Sequence, residues 1–114
     1  MSTWNGFTPM ARIEVVIDGE HIPTVRELLL EAGATGYTAV DGVSGFGHSG
    51  EHAGRLLFND RNSLSMLISV VPHDRVQRVV AGIRGLLDHH HGVVFISETH
   101  VSRADYFEGV PADA

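Results

Sequence analysis

An apolar strand, a proline-led helix, a turn and a second strand are written twice in this chain, and that repetition constrains the fold more than any other feature. Ile13, Val15 and Ile17 alternate with Arg12, Glu14 and Val16 over residues 11–17, the period-two pattern of a strand with one buried face. Gly19 closes it. Pro23 suits the first position of a helix, on which Val25, Leu28, Leu29 and Ala32 share one side, and Gly33 suits the C-terminal cap. Residues 37–43 read as a second strand, with Gly42 marking a bulge. In the second half, residues 64–71 form the third strand, broken by Pro72. Val76, Val79, Val80, Ile83, Leu86 and Leu87 then make a 3.6-residue stripe, with Asp74 in the first turn, where the helix dipole favours an anion. His89, His90, His91 and Gly92 form a turn, and residues 93–99 are the fourth strand.

Strand–helix–strand occurring twice is the split βαβ pattern, an α+β ferredoxin-like βαββαβ sandwich. Both helices then cover one sheet face and leave the other bare. A bare face rich in valine needs a cover, which predicts a homo-oligomer. The chain divides into an N-terminal arm over 1–10, anchored by Trp4 or Phe7, the folded domain over 11–105, and an irregular tail over 106–114. With 114 residues, this is one domain, and a chain of that length buries roughly two-thirds of its unfolded surface. Its 43% apolar content supports a core without staples, and with no cysteine there are none. No apolar run spans a membrane, and residues 1–10 lack the basic and apolar regions of a signal peptide. The expected location is cytoplasmic.

Between the second and third strands, Gly45, Gly47, Gly50 and Gly54 rule out sustained regular structure, so 44–63 reads as an extended loop. Its core, Gly45-Phe46-Gly47-His48-Ser49-Gly50, offers successive backbone N–H groups without Cβ obstruction, the raw material of an anion nest. It is not a G-x-G-x-x-G at a strand-to-helix turn, so a Rossmann reading fails. Arg55 and Arg61 lie in the same loop, and Arg103 follows the last strand.

Other chemistries find less support. Fourteen acidic against eight basic residues, a net charge of −6, argue against a general nucleic-acid binder, which needs a basic face to release counterions. All eight bases are arginine, which removes P-loop and Schiff-base chemistry and is equally the mark of a GC-rich coding bias. Gly42-Val43-Ser44-Gly45 misses the G-x-S-x-G elbow by one position, and no carboxylate pair stands out, so the chain reads as non-enzymatic. His89, His90 and His91 could converge with His48, His52, His73 and His100 on a metal. Adjacent residues in a turn point in different directions, however, and the triple histidine reads as an exposed turn with no metal assigned.

Ala34-Thr35-Gly36-Tyr37-Thr38-Ala39-Val40 followed by Ser44-Gly45-Phe46-Gly47 resembles the G-(M/Y)-T-V…G-F-G segment that leads into the T-loop of the PII signalling family. Residues 67–71 ending in Pro72-His73-Asp74 resemble that family's I-V-V-P-D-D step into its second helix. The resemblance runs from about Arg12 to Arg103. It implies a trimer of ferredoxin-like subunits that binds adenine nucleotides in the clefts between subunits. There the ligand lies between the T-loop base, the B-loop after the second helix and the C-terminal loop. By matching position, the nucleotide-binding residues are Thr38, Gly45, Phe46, Gly47 and His48 at the T-loop base, Gly92 in the B-loop and Arg103 in the C-loop.

The departures from the family are informative. The loop is shorter than the usual T-loop and holds no tyrosine for uridylylation. Ser49 replaces the glutamine that joins Mg-ATP and oxoglutarate, and Val93 stands where the phosphate-binding lysine belongs. Fewer cations imply ADP or AMP in preference to ATP. The shortened loop and G-Y-T strand resemble the carboxysome-associated PII proteins and bicarbonate-transporter regulators. Such a resemblance implies bicarbonate as second ligand, held by Ser49, Gly50, Arg55 and Arg61, since a guanidinium fork beside backbone N–H groups suits a planar oxyanion. The reading is a sensor with no cofactor, whose loop over 44–63 controls an unidentified protein target in inorganic-carbon metabolism. The alternative is a CutA-like trimeric metal-binding protein, which shares the fold and would use the histidines.

Overall fold

The computed structural model describes residues 4–44, 46–47, 50–51 and 64–108. Strand β1, Thr8–Asp18, pairs antiparallel with β5, Leu64–Val71, on one side and with β6, Gly92–Val101, on the other. Strand β2, Thr38–Val43, pairs with the far edge of β5, giving the sheet order β2-β5-β1-β6. Two central strands flanked by the second and the last is the ferredoxin-like order, as the repeated pattern requires. A separate two-residue pair joins β3, Phe46–Gly47, to β4, Gly50–Glu51. β1 begins three residues before its apolar alternation, because Thr8, Pro9 and Met10 pair with Val101, His100 and Thr99. Pro9 falls where β1 has only β6 beside it, a setting that tolerates a missing N–H.

Helix α1, Ile22–Glu31, and helix α2, Val76–Leu87, lie on the face presented by Ile13, Val15, Ile17, Leu67 and Val71. Val25 and Leu29 from α1 and Val79 and Ile83 from α2 are buried with them, the helical period meeting the strand period in one core. Pro23 sits in the first turn of α1. Its C-terminus is a Schellman arrangement: the Ala34 N–H donates to Leu29 O at 2.9 Å and the Gly33 N–H to Leu30 O at 3.1 Å. Gly33 takes φ +100° there, a conformation that disfavours any Cβ. The bulge expected at Gly42 is present as a register shift between Asp41 and Val43.

Ser65 and Ser69 share the helix-covered face and are buried, an arrangement that the hydroxyls' partners make tolerable. Ser65 Oγ donates to Asp41 Oδ1 at 2.8 Å and Ser69 Oγ to Gly36 O at 2.7 Å, so each buried hydroxyl also ties β5 to β2 or to the turn before it. The opposite face carries no helix. Val40, Val93 and Phe95 are exposed on it, Phe95 at 54%, beside half-buried Val16, Met66, Ile68 and Val70. After β6 the chain, expected as irregular tail, forms one short helix, α3, Asp105–Glu108. No described helix is long and apolar enough to cross a membrane.

Candidate functional site

The register separates the predicted nucleotide-binding residues along the sheet. At one end, the loop end, Val43 and Asp18 both pair with Leu64, and Ile17 pairs with Gly92. The 44–63 segment therefore leaves and re-enters the sheet beside the turn at 89–92. Gly92 has a packing reason to be glycine: a Cβ there would stand 2.8 Å from Leu87 Cδ2 and 3.0 Å from both Ile17 Cγ1 and Val16 O. Beside it, the His90 ring lies tilted on His21, with centroids 4.0 Å apart. His21 follows β1 in a short turn and approaches Glu20 Oε2 at 3.5 Å. Two chain reversals at this end are thus joined through imidazoles. Thr38 opens β2 opposite Ile68 on the open face, exposed, four residues along the strand from Gly42.

Arg103 lies at the other end, just past Val101, which pairs with Thr8. The ten-residue β6 spans roughly 30 Å between Gly92 and Val101, so Gly92 and Arg103 of one protomer cannot touch one small ligand. The Arg103 guanidinium lies 4.2 Å from the Tyr106 ring centroid, and its Nε is 3.7 Å from Asp105 Oδ1, which leaves the side chain 57% exposed. A half-solvated guanidinium above a ring keeps donors to offer an anion. At the same end Trp4 stacks on His100 with centroids 5.1 Å apart. A hydrogen bond to Tyr37 raises the Arg26 guanidinium above its ordinary pKa.

Among the described residues, then, Thr38 and Gly92 keep to the loop half of the sheet and Arg103 to the other end. Phe46, Gly47 and Gly50 are placed by their backbone alone, in the β3–β4 pair. Gly45, His48, Ser49, Arg55 and Arg61 lie outside the described residues. No three His, Asp or Glu side chains among the described residues gather to hold a metal. Four of the described histidines have close partners: His21 meets His90, His100 meets Trp4, and His73 Nε2 is 2.6 Å from Glu98 Oε1. Sequence reasoning missed Thr35 and Arg75, whose polar atoms hold the C-terminal segment from far upstream. No local pattern signals them, because their partners are backbone carbonyls.

The sequence matches the family described as nitrogen regulatory protein P-II over residues 10–106. The chain belongs to the P-II family. Within it, this P-II protein is a PII-like regulatory protein, similar to CPII, a nitrogen regulatory PII-like protein from Thiomonas intermedia K12. In the structure bound to ADP, AMP and bicarbonate, CPII is 34% identical with TM-score 0.82, over 90% of this chain and 97% of that one. The apo form of CPII is 32% identical with TM-score 0.67, covering 83% and 94% of the two chains. A PII-like signalling structure from Thermus thermophilus, at 17% identity and TM-score 0.69 over 89% and 97%, shares the fold. A search of curated proteins finds no match.

Proposed function

We propose that this P-II protein is a homotrimeric, non-enzymatic sensor that binds ADP or AMP, together with bicarbonate, in the clefts between subunits. Ligand binding then sets the conformation of the 44–63 loop, which controls a protein partner in inorganic-carbon metabolism, in the cytoplasm. One observation carries this reading: CPII, which this chain matches at 34% identity over 90% of its length, is described bound to ADP, AMP and bicarbonate.

The geometry supports a cleft between protomers. Gly92 and the loop base stand at one end of the sheet and Arg103 at the other, so a nucleotide that uses both takes them from two copies. The open face supplies the reason for copies to associate, since Val40, Val93 and Phe95 would otherwise stay in water. Gly45, Phe46, Gly47 and His48 would border the nucleotide with Thr38. Ser49, Gly50, Arg55 and Arg61 would hold bicarbonate through a guanidinium fork and backbone N–H groups. Because no lysine faces a third phosphate, ADP and AMP bind in preference to ATP. Allostery follows if the ligands bind one loop conformation more tightly than another.

Isothermal titration with AMP, ADP and ATP, each with and without bicarbonate, tests the reading. Saturable binding of one ADP or AMP per protomer, strengthened by bicarbonate, is expected. Absence of heat with every nucleotide would overturn it.

A further inference from the structure

The segment after β6 is held by side chains far from it in sequence. Arg75 Nη1 donates to Gly33 O at 2.8 Å and to Phe107 O at 3.4 Å, and Arg75 Nη2 donates to Glu108 O. Thr35 Oγ1 donates to Tyr106 O at 2.6 Å. Three successive carbonyls of α3, which a helix of four residues leaves without intrahelical partners, are thereby satisfied from the turn between α1 and β2 and from the turn before α2. So short a helix does not hold its own shape. Gly33 makes the seat. A Cβ at that position would stand 3.0 Å from Arg75 Cδ, so the glycine that caps α1 also leaves room for the arginine that crosses it. Tyr106, whose carbonyl Thr35 holds, is the residue whose ring lies under Arg103.

We propose that Arg75, assisted by Thr35, is a positioning residue for the anion site. It clamps α3 to the α1–β2 turn of its own protomer, fixing Tyr106 and with it the direction in which Arg103 projects toward the ligand. The inference rests on the nucleotide reading above. Arg75 contacts no ligand and acts through Arg103. The role needs arginine, whose planar fork donates to two chain segments at once, whereas a lysine offers a single point charge. An arginine ordered before the ligand arrives loses less rotamer freedom on binding.

The test combines a ligand-free readout with a double-mutant cycle. Chymotrypsin should cleave after Tyr106 and Phe107 about tenfold faster in Arg75→Ala than in wild type, without nucleotide present, as the segment opens more often. Titration with ADP should show affinity about five- to tenfold weaker in Arg75→Ala, only partly restored in Arg75→Lys. In an Arg103→Ala background, Arg75→Ala should add less than about twofold, because the clamp then has nothing to aim. Thr35→Val, which removes one bond from an exposed side chain and leaves the core untouched, should move both readouts in the same direction by less. Unchanged ADP affinity in Arg75→Ala, or an undiminished loss in the Arg103→Ala background, would overturn the positioning role while the nucleotide reading stands. Failure of wild type to bind ADP overturns both, and the cleavage rates then report a purely structural clamp.

Discussion

The two faces of the four-stranded sheet come from the same alternating strands and end in opposite states. On one, Ile13, Val15, Ile17, Leu67 and Val71 are sealed beneath α1 and α2, each at 0% exposure. On the other, Val40, Val93 and Phe95 stand in solvent although they are as apolar as the residues behind them. A strand with apolar residues on both faces needs two covers, and this chain encodes helices for one. The protomer is therefore a finished fold with an unfinished surface. Assembly is written into the open face, and the proposed nucleotide cleft would depend on that assembly because its parts sit at opposite ends of each copy.

Substitutions on the two faces should therefore fail in different ways. The largest expected effect on folding comes from the sealed face. Ile13→Ala should cost about 2–5 kcal/mol in urea unfolding, through lost burial and a residual cavity. A cost below about 1 kcal/mol would mean that the two faces differ less than their burial states. Gly92→Ala should follow at about 1–3 kcal/mol, since its Cβ would press on Leu87 and on the Val16 carbonyl. Ser69→Ala should cost about 1 kcal/mol, the worth of the bond to Gly36 O. The smallest effect on the fold belongs to the open face. Phe95→Glu should change the far-UV circular dichroism little and the protomer's stability by about 0.5 kcal/mol or less, yet reduce the mass in sedimentation from an oligomer to 12.3 kDa. If Phe95→Glu unfolds the protein while Ile13→Ala leaves it intact, the assignment of the two faces is reversed.

Much of the fold is legible in the chain because its signals are local. β5 runs over the apolar segment that Pro72 ends, Gly42 makes its bulge, and Gly33 caps α1 as a glycine placed after a helical stripe should. β1 and β6 extend beyond their apolar runs, because strand length is decided by pairing: Thr8 and Val101 lengthen each other. α3 was not legible at all, since Asp105–Glu108 carries no helical stripe and owes its geometry to Thr35 and Arg75. In the candidate site, the glycines from Gly45 to Gly50 suggest an anion nest through composition, and Val93 in place of the family's lysine implies ADP or AMP in preference to ATP, readings that the proposed titrations test. Glycine at 92 matched the family, but the contact with Leu87 and Val16 that excludes a Cβ becomes visible only when helix and strand are packed.

Residue order was enough to establish which segments are strands and helices, which side of each is apolar, and that one sheet face would lack a cover. Those properties depend on spacing over a few turns or pleats, and spacing is written in the chain. Packing in three dimensions was needed to press Gly92 against Ile17 and the Val16 carbonyl, where a Cβ would not fit. It also brought Arg75 across Gly33 to the C-terminal carbonyls. Both follow from antiparallel pairing and from contacts between residues dozens of positions apart, which no local period encodes.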